Sequence, residues 1–189
     1  DTNGLVGYSG VFTILPASEL IVLTPTLNQV LVGGTPNYQI TWTGVGIKNR
    51  KTFALSLDSG LTWRNFDTIS TATFTNGWDI PDTSSTKAMI RITDSTNLVG
   101  LSKVFTILPA PKMTVLTPGV GANITGGTEN YQITWTGVGI AEMKTFEYSL
   151  DSGATWTMIG GMSTQGFAYA WNVPDTSSTR ALVRITDSN

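Results

Sequence analysis

The sequence predicts an all-β chain that consists of two tandem antiparallel β-sandwiches. An ungapped internal repeat has a period of 93 residues, and 54 of its 93 aligned pairs are identical. Each period contains short apolar–polar runs separated by Gly, Pro, Asn and Asp, which is the pattern of strands and turns. No segment shows sustained helical periodicity. Because one period has about the length of a small sandwich domain, 189 residues hold two units.

Each strand of the first full repeat is indicated by a β-branched or aromatic run that a turn signal ends. The first run stops at Thr24-Pro25, the third at Asp58-Ser59-Gly60 and the fifth at Pro81-Asp82. The seven predicted strands are Leu20–Leu23, Tyr38–Thr43, Thr52–Leu57, Thr62–Phe66, Thr73–Ile80, Lys87–Thr93 and Leu101–Leu108. The second repeat has the same pattern from Met113 to Thr186. Seven short strands at this spacing predict an Ig-like sandwich.

The phase of the repeat leaves one strand without a sandwich of its own. Residues 1–15 match residues 94–108, which contain the last strand of the first unit, and nothing in the sequence given matches them after Asn189. We therefore predict three segments: an orphan last strand at 1–15, an Ig-like unit at 18–108, and a second Ig-like unit at 112–189 that lacks its last strand.

We expect the orphan strand to complete the second unit of a neighbouring molecule, because residues 94–108 already complete the first. This is β-strand addition, and an unpaired apolar sheet edge favours it. Repeated head to tail, it produces an open filament. The side chains expected to enter the groove are Val11, Phe12, Ile14 and Leu15. A slice of a longer array, with the strand covalently continuous, is the open alternative.

Composition argues against several classes of protein. The net charge is −2 and there is no basic run, so we expect no nucleic-acid partner. No apolar run approaches the roughly 20 residues of a membrane-spanning helix. The absence of Cys excludes disulfides and thiolate metal sites.

Catalytic chemistry also lacks its usual groups. There is no His to serve as general base or metal ligand. The only carboxylates that both repeats share are Asp residues beside Ser, Thr or Gly, which is typical of turns. We therefore predict no enzyme activity, no catalytic residue and no cofactor. Calcium is the metal best suited to loop 79–82, but the second repeat has Asn172 there, and we predict no metal site.

Two octapeptides resemble the Asp-box hairpin of sialidases and related propellers. They are Ser56-Leu57-Asp58-Ser59-Gly60-Leu61-Thr62-Trp63 and Ser149-Leu150-Asp151-Ser152-Gly153-Ala154-Thr155-Trp156. The resemblance implies structural hairpins in which Asp58 and Asp151 accept turn hydrogen bonds and Trp63 and Trp156 pack beneath. One such hairpin in 93 residues is too sparse for propeller blades.

The whole repeat also resembles a broader family. Its features are a Thr-Pro start, Gly-Gly-Thr, Ile-Thr-Trp, Trp-x-x-Pro-Asp-Thr, Arg-Ile-Thr-Asp and Val-Phe-Thr-Ile. It is similar to the Ig-like, Ser/Thr-rich repeats of bacterial and archaeal surface proteins and to the extracellular domain of yeast cell-wall glucan-assembly proteins. The resemblance implies an extracellular or cell-surface location. We expect a structural subunit of a filament, sheath or surface fibre, with copies of itself and surface glycans as partners.

The alternative function is a carbohydrate-binding module of a secreted adhesin or enzyme. Six Trp are available to stack on sugar rings. Trp42, Trp63 and Trp78 recur one period later, however, as core residues would. An exposed pair of Trp on one sheet face would favour sugar binding, and buried Trp would count against it.

Overall fold

The computed structural model describes residues 4–188. Within that range it contains fifteen β-strands and no helix. The chain divides into two compact units, Asp1–Leu108 and Pro109–Asn189. The predicted fold class, an all-β chain of tandem Ig-like sandwiches, is confirmed by the pairing of these strands.

Unit 1 is a sandwich of a three-stranded and a six-stranded sheet. Strands β1, β3 and β6 pair in that order, and the second sheet has the order β2-β9-β7-β4-β5 with β8 also paired to β7. All pairs are antiparallel except β2 with β9, which is parallel. The strands are β1 Glu19–Thr24, β2 Val30–Val32, β3 Tyr38–Val45, β4 Arg50–Ser56, β5 Arg64–Ser70, β6 Thr75–Trp78, β7 Ser85–Asp94, β8 Val99–Leu101 and β9 Phe105–Leu108.

The core of unit 1 lies between these sheets because every second residue of a strand faces inward. The β7 pattern shows the alternation, with Ala88, Ile90 and Ile92 fully buried between more accessible residues. The Trp42 ring packs edge-on against Phe53, with ring centroids 5.4 Å apart. A continuous apolar cluster results, and strand β9 contributes two of its members, Phe105 and Ile107.

Two details of the strand prediction for unit 1 were wrong. The predicted last strand, Leu101–Leu108, is interrupted, because the Ser102 side chain turns inward and its hydroxyl accepts a hydrogen bond from the Ile90 backbone N–H at 2.8 Å. Strand β2 was missed. It has only three residues and is held by parallel pairing with β9, a contact that local sequence does not signal.

Unit 2 contains two three-stranded sheets, ordered β10-β11-β14 and β13-β12-β15. Residues 123–125, the counterpart of β2, form no strand, and the segment Pro109–Asn189 contains no counterpart of β8 or β9. Its core is correspondingly small, with Ile133, Trp135, Phe146 and Trp171 as the buried residues. The strands are β10 Lys112–Thr117, β11 Tyr131–Val138, β12 Met143–Ser149, β13 Thr157–Ser163, β14 Ala168–Trp171 and β15 Leu182–Asp187.

Candidate functional site

In unit 1 a groove beside β7 is filled by the segment that carries β8 and β9. Phe105 and Ile107 each retain 1% exposure, so both side chains lie wholly inside the sandwich. The backbone is paired on both sides, with β7 on one and β2 on the other. The filling segment therefore contributes both core volume and hydrogen bonds to two neighbouring strands.

In unit 2 the equivalent groove is open. Ile90 and Ile92 of β7 are fully buried, whereas their counterparts Val183 and Ile185 of β15 are only half-buried. At four further positions the unit 1 residue is buried and its unit 2 counterpart is more exposed. The pairs are Leu20 and Met113, Val22 and Val115, Ile80 and Val173, and Ala88 and Ala181. Because the two units share most of their sequence, the absent strand is the simplest physical cause of this exposure.

The open groove also shortens the strands that border it. Strand β7 begins at Ser85, but β15 begins at Leu182, four positions later in the repeat. The part of β7 without a counterpart is the part that pairs with β9, through Ser85 and Ala88. Residues 123–125, which correspond to β2, are not a strand. Unit 2 contains no counterpart of β9 with which they could pair. The preceding residues 119–122 are also richer in Gly than residues 26–29 of unit 1, and Gly disfavours strands.

The segment predicted to be an orphan strand lies exposed. Residues 4–18 form no strand in the single chain, and positions 1–3 of that prediction lie outside the described residues. Phe12 is 72% and Ile14 is 82% exposed, and Val11 and Leu15 are also exposed. In unit 1 the residues equivalent to Phe12 and Ile14 are Phe105 and Ile107, the two buried residues of β9.

Residues 5–15 differ from residues 98–108 at only two positions. Tyr8 stands for Leu101 and Gly10 for Lys103, and both unit 1 residues are exposed. The positions buried in unit 1 are occupied by the same residue types, namely Gly7, Ser9, Phe12 and Ile14. The exposed segment thus keeps every side chain that a groove of this shape contacts.

Sequence reasoning missed two of these four positions, and the predicted groove residues Val11 and Leu15 correspond to the half-buried Val104 and the exposed Leu108. Gly7 corresponds to Gly100, where an added Cβ would lie 2.1 Å from the Cδ2 atom of Leu20. Ser9 corresponds to Ser102, whose buried hydroxyl pairs with the Ile90 N–H. A search for large apolar side chains does not identify Gly or Ser. The recurrence of the same Gly and Ser one period later could have indicated both positions.

A further difference lies at the turn that precedes the missing strand. In unit 1 the Asp94 carboxylate accepts hydrogen bonds from the backbone N–H groups of Lys48, Thr96 and Leu98, and from the Thr96 hydroxyl. Burial opposes ionisation, but these hydrogen bonds outweigh it and lower the pKa of Asp94 to about 2. The unit 2 counterpart, Asp187, accepts from the Ala141 N–H through both oxygens. The Leu5 N–H of an added strand would occupy the place that the Leu98 N–H has in unit 1.

The two Asp-box-like segments form the turns between β4 and β5 and between β12 and β13. The Asp58 carboxylate accepts from the Ser56 hydroxyl at 2.7 Å and from the Thr62 N–H at 2.9 Å. Trp63 donates its indole N–H to the Gly60 carbonyl at 2.9 Å. Asp151 repeats the carboxylate contacts with Ser149 and Thr155. Ser59 and Ser152 have φ values of 59° and 61°, so the same tight turn occurs in both units.

Hydrogen bonding keeps the two hairpin carboxylates ionised. The Thr62 hydroxyl makes the largest contribution, followed by the Thr62 N–H and the Ser56 hydroxyl, and they lower the pKa of Asp58 to about 2. Thr155 and Ser149 have the same effect on Asp151. These groups are occupied within the turn, which makes them structural rather than chemically available.

The Trp residues do not form an exposed pair on a sheet face. Trp42 and Trp135 are each 1% exposed, and Trp78 and Trp171 are also buried. Trp63 and Trp156 are half-buried, and the guanidinium groups of Arg91 and Arg184 lie over their rings at 4.6 and 4.2 Å. This burial counts against the sugar-stacking platform of the alternative function.

Residues 4–188 contain neither a cluster of metal-binding side chains nor a helix that could span a membrane. No three His, Cys, Asp or Glu side chains in this range come together in a way that could hold a metal ion. No helix long and apolar enough to cross a membrane occurs in it.

The geometry defines the class of the protein as a tandem Ig-like β-sandwich module. No family model matches the chain, and no curated protein matches it. Among solved structures it is similar to fibronectin(III)-like modules of Clostridium thermocellum CbhA, with 15% identity over 82% of this chain and 78% of that one and a TM-score of 0.32.

Two further solved structures show comparable likeness. For three N-terminal domains of the bacteriophage RB49 outer capsid protein Hoc, identity is 14% over 90% of this chain and 58% of that one, with a TM-score of 0.30. For the FN1–FN3 domains of chicken CNTN1, identity is 13% over 87% of this chain and 64% of that one, with a TM-score of 0.31. The chain therefore spans less than two thirds of either. At such TM-scores these likenesses carry no argument, and the sandwich assignment follows from the strand pairing described above.

Proposed function

We propose that this chain is a structural module of an extracellular filament, sheath or surface fibre, in which segment 5–15 of one copy completes unit 2 of another. One observation carries the proposal. The chain contains a filled groove, an open copy of the same groove, and a spare copy of the segment that fills it. The proposed partner is a second copy of this chain.

The burial of two side chains makes a large favourable contribution to this docking. Phe12 and Ile14 are largely exposed, whereas the same residues in unit 1, Phe105 and Ile107, are buried. Full burial of one such side chain stabilises by about 1.5–3 kcal/mol, so the pair contributes about 3–6 kcal/mol. A small domain has a net stability of about 5–15 kcal/mol. A filled groove therefore changes the stability of unit 2 substantially.

The geometry also favours head-to-tail growth of a filament. The donated segment and the receiving groove belong to different parts of the chain, so the contact is heterologous. Each added copy then brings one new open groove and leaves one segment to donate. A heterologous contact extends as a filament unless its rotation closes a ring. An extracellular setting is part of the proposal and is supported by the resemblance of the repeat to surface proteins.

The proposal can be tested with three chains, using light scattering after size-exclusion chromatography and negative-stain microscopy. The first is residues 1–189, the second lacks residues 1–15, and the third carries a copy of Asn97–Leu108 directly after Asn189. The appended copy is in phase with the repeat and fills the groove within the same molecule. We expect polymers from the first chain only.

Monomers from all three chains would contradict strand donation. If the appended copy also raised the thermal stability of a monomeric chain, the groove would be a genuine strand site that a covalently continuous array fills. If the appended copy neither stabilised unit 2 nor prevented polymers, the groove would not be the assembly site. The buried Trp residues give the alternative carbohydrate-binding platform no support on the sheet faces.

A further inference from the structure

One side of unit 2 differs in chemistry from the same side of unit 1. It is formed by β13 and β14, the edge strands of the two sheets, and by the residues next to them. Three charged residues of unit 1 are replaced there: Arg64, Asp67 and Asp79 correspond to Thr157, Gly160 and Asn172. Residues 64–69 differ from residues 157–162 at every position. This side has therefore lost three charged residues, whereas the positions that border the groove stay apolar, with Met113, Val173 and Val183 in place of Leu20, Ile80 and Ile90.

The substitutions accompany a cleft in unit 2. Its volume is about 420 Å³, within the range of small-molecule sites. In unit 1 the Phe66 ring packs against Trp78, with centroids 5.3 Å apart. Ile159 stands in the place of Phe66 and lines the cleft. A branched aliphatic side chain is smaller than a phenyl ring, so β13 presents no aromatic ring to Trp171 where β5 presents Phe66 to Trp78.

Three aromatic side chains line this cleft, and two of them have no aromatic counterpart in unit 1. Tyr148 replaces Leu55 and lies 5.6 Å from Trp171 between ring centroids. Tyr169 replaces Asn76 and stacks on the buried Phe146 ring, with centroids 4.1 Å apart and planes inclined by 10°. Phe146 therefore covers one face of the Tyr169 ring, and the Tyr169 side chain as a whole is half-buried.

Neutral hydrogen-bonding groups complete the lining. The side-chain oxygen of Asn172 accepts from the Asn130 backbone N–H at 2.9 Å, as the Asp79 carboxylate does for Asn37 in unit 1. An amide carries donors that a carboxylate lacks. The residues that line the cleft include no Asp, Glu, Lys or Arg.

We infer that this cleft binds a neutral saccharide of one or two rings. A sugar ring presents an apolar C–H face and an equatorial rim of hydroxyl groups. The accessible parts of the half-buried Tyr148 and Tyr169 rings suit the C–H face, and the amides of Asn130 and Asn172 suit the hydroxyl groups. The absence of charge from the lining disfavours ionic ligands. The site lies at the edge formed by β13 and β14, whereas the strand-acceptor groove borders β15.

The test uses the full chain and four probes: cellohexaose, laminarihexaose, chitohexaose and mannohexaose. Each is titrated while the indole N–H resonances of the six Trp residues are followed by NMR. We expect at least one probe to shift the Trp171 resonance and leave that of its unit 1 counterpart, Trp78, unchanged. Ile159→Phe places the unit 1 ring in the cleft, and it should weaken this binding by about tenfold or more.

A matched control is Phe66→Ile in unit 1, which alters the equivalent position of the other sandwich and should leave the affinity unchanged. The inference is overturned if no probe shifts Trp171 at millimolar concentration, or if Ile159→Phe binds as tightly as the parent chain. Shifts of Trp171 that depend on protein concentration without saccharide would identify a second copy as the occupant, and that would also overturn it.

Discussion

Gly100 of β8 lies directly against Leu20 of β1. A Cβ atom on Gly100 would lie 2.1 Å from the Cδ2 atom of Leu20 and 2.8 Å from its carbonyl oxygen. Only a residue without a side chain fits this approach of strand to strand. Gly7 is identical in repeat phase, yet an added Cβ there meets nothing within 4 Å in the single chain. A side chain at position 7 would therefore cause a steric clash only when the segment is docked in the groove.

Gly7→Val should abolish polymer formation without altering the free chain. The branched side chain would collide with the backbone at Met113, the counterpart of Leu20, when the segment enters the groove. Light scattering should show monomers, with a circular dichroism spectrum and melting curve like those of the parent chain lacking residues 1–15. Gly10→Val is the control, because position 10 corresponds to the exposed Lys103, and this variant should still assemble. Equal assembly by both variants would exclude the unit 1 geometry for the docked strand.

Phe12→Ala should weaken docking strongly. Truncation of a fully buried Phe costs about 3–5 kcal/mol, which corresponds to a dissociation constant raised by more than about 100-fold. Binding of peptides with the sequence of residues 4–15 to the chain that lacks residues 1–15 can be measured by calorimetry. Tyr8→Ala is the control, since position 8 corresponds to the exposed Leu101, and it should change the affinity little. Similar losses for the two peptides would indicate nonspecific adhesion.

Hydrogen exchange should differ between β7 and β15 in the chain that lacks residues 1–15. We expect faster exchange in β15, because one side of its groove is open and local stability follows buried contacts. Addition of a synthetic peptide with the sequence of Asn97–Leu108 should slow exchange in β15 and leave β7 unchanged. The filled unit 1 thus serves as the control within one molecule. Unaltered exchange in β15 at saturating peptide would show that the segment does not enter the groove.

Loss of the Thr62 hydroxyl should change the pKa of Asp58 and leave the pKa of Asp151 unchanged. The pKa of Asp58 is lowered to about 2, mainly by the Thr62 hydroxyl. A lowered carboxyl pKa stabilises the fold at pH above the unfolded value of about 3.9, and that contribution disappears as the pH falls through about 2. Thr62→Val should raise the pKa of Asp58, which NMR titration of the carboxyl resonances can follow. Asp151 in the same molecule should stay near 2, and a shift of both would mean that the variant perturbs more than one hairpin.

Local sequence was sufficient to predict the fold class and the order of the long strands. Apolar alternation and turn residues specify these elements, because a strand buries every second side chain and Gly, Pro, Asn and Asp tolerate turn conformations. Strand β3, for example, lies at Tyr38–Val45 and includes the predicted Tyr38–Thr43. The repeat phase likewise indicated, before any coordinates, that residues 1–15 duplicate the last strand of unit 1.

Tertiary structure decided the features that depend on distant partners. Strand β2 forms because β9 lies beside it, and the last strand divides because Ser102 turns inward to the Ile90 N–H. The closeness of Gly100 to Leu20 and the cleft beside Ile159 are likewise products of packing between strands that are far apart in sequence. Periodicity reports which face of a strand is apolar, whereas the residue that meets that face is fixed only when the two sheets come together.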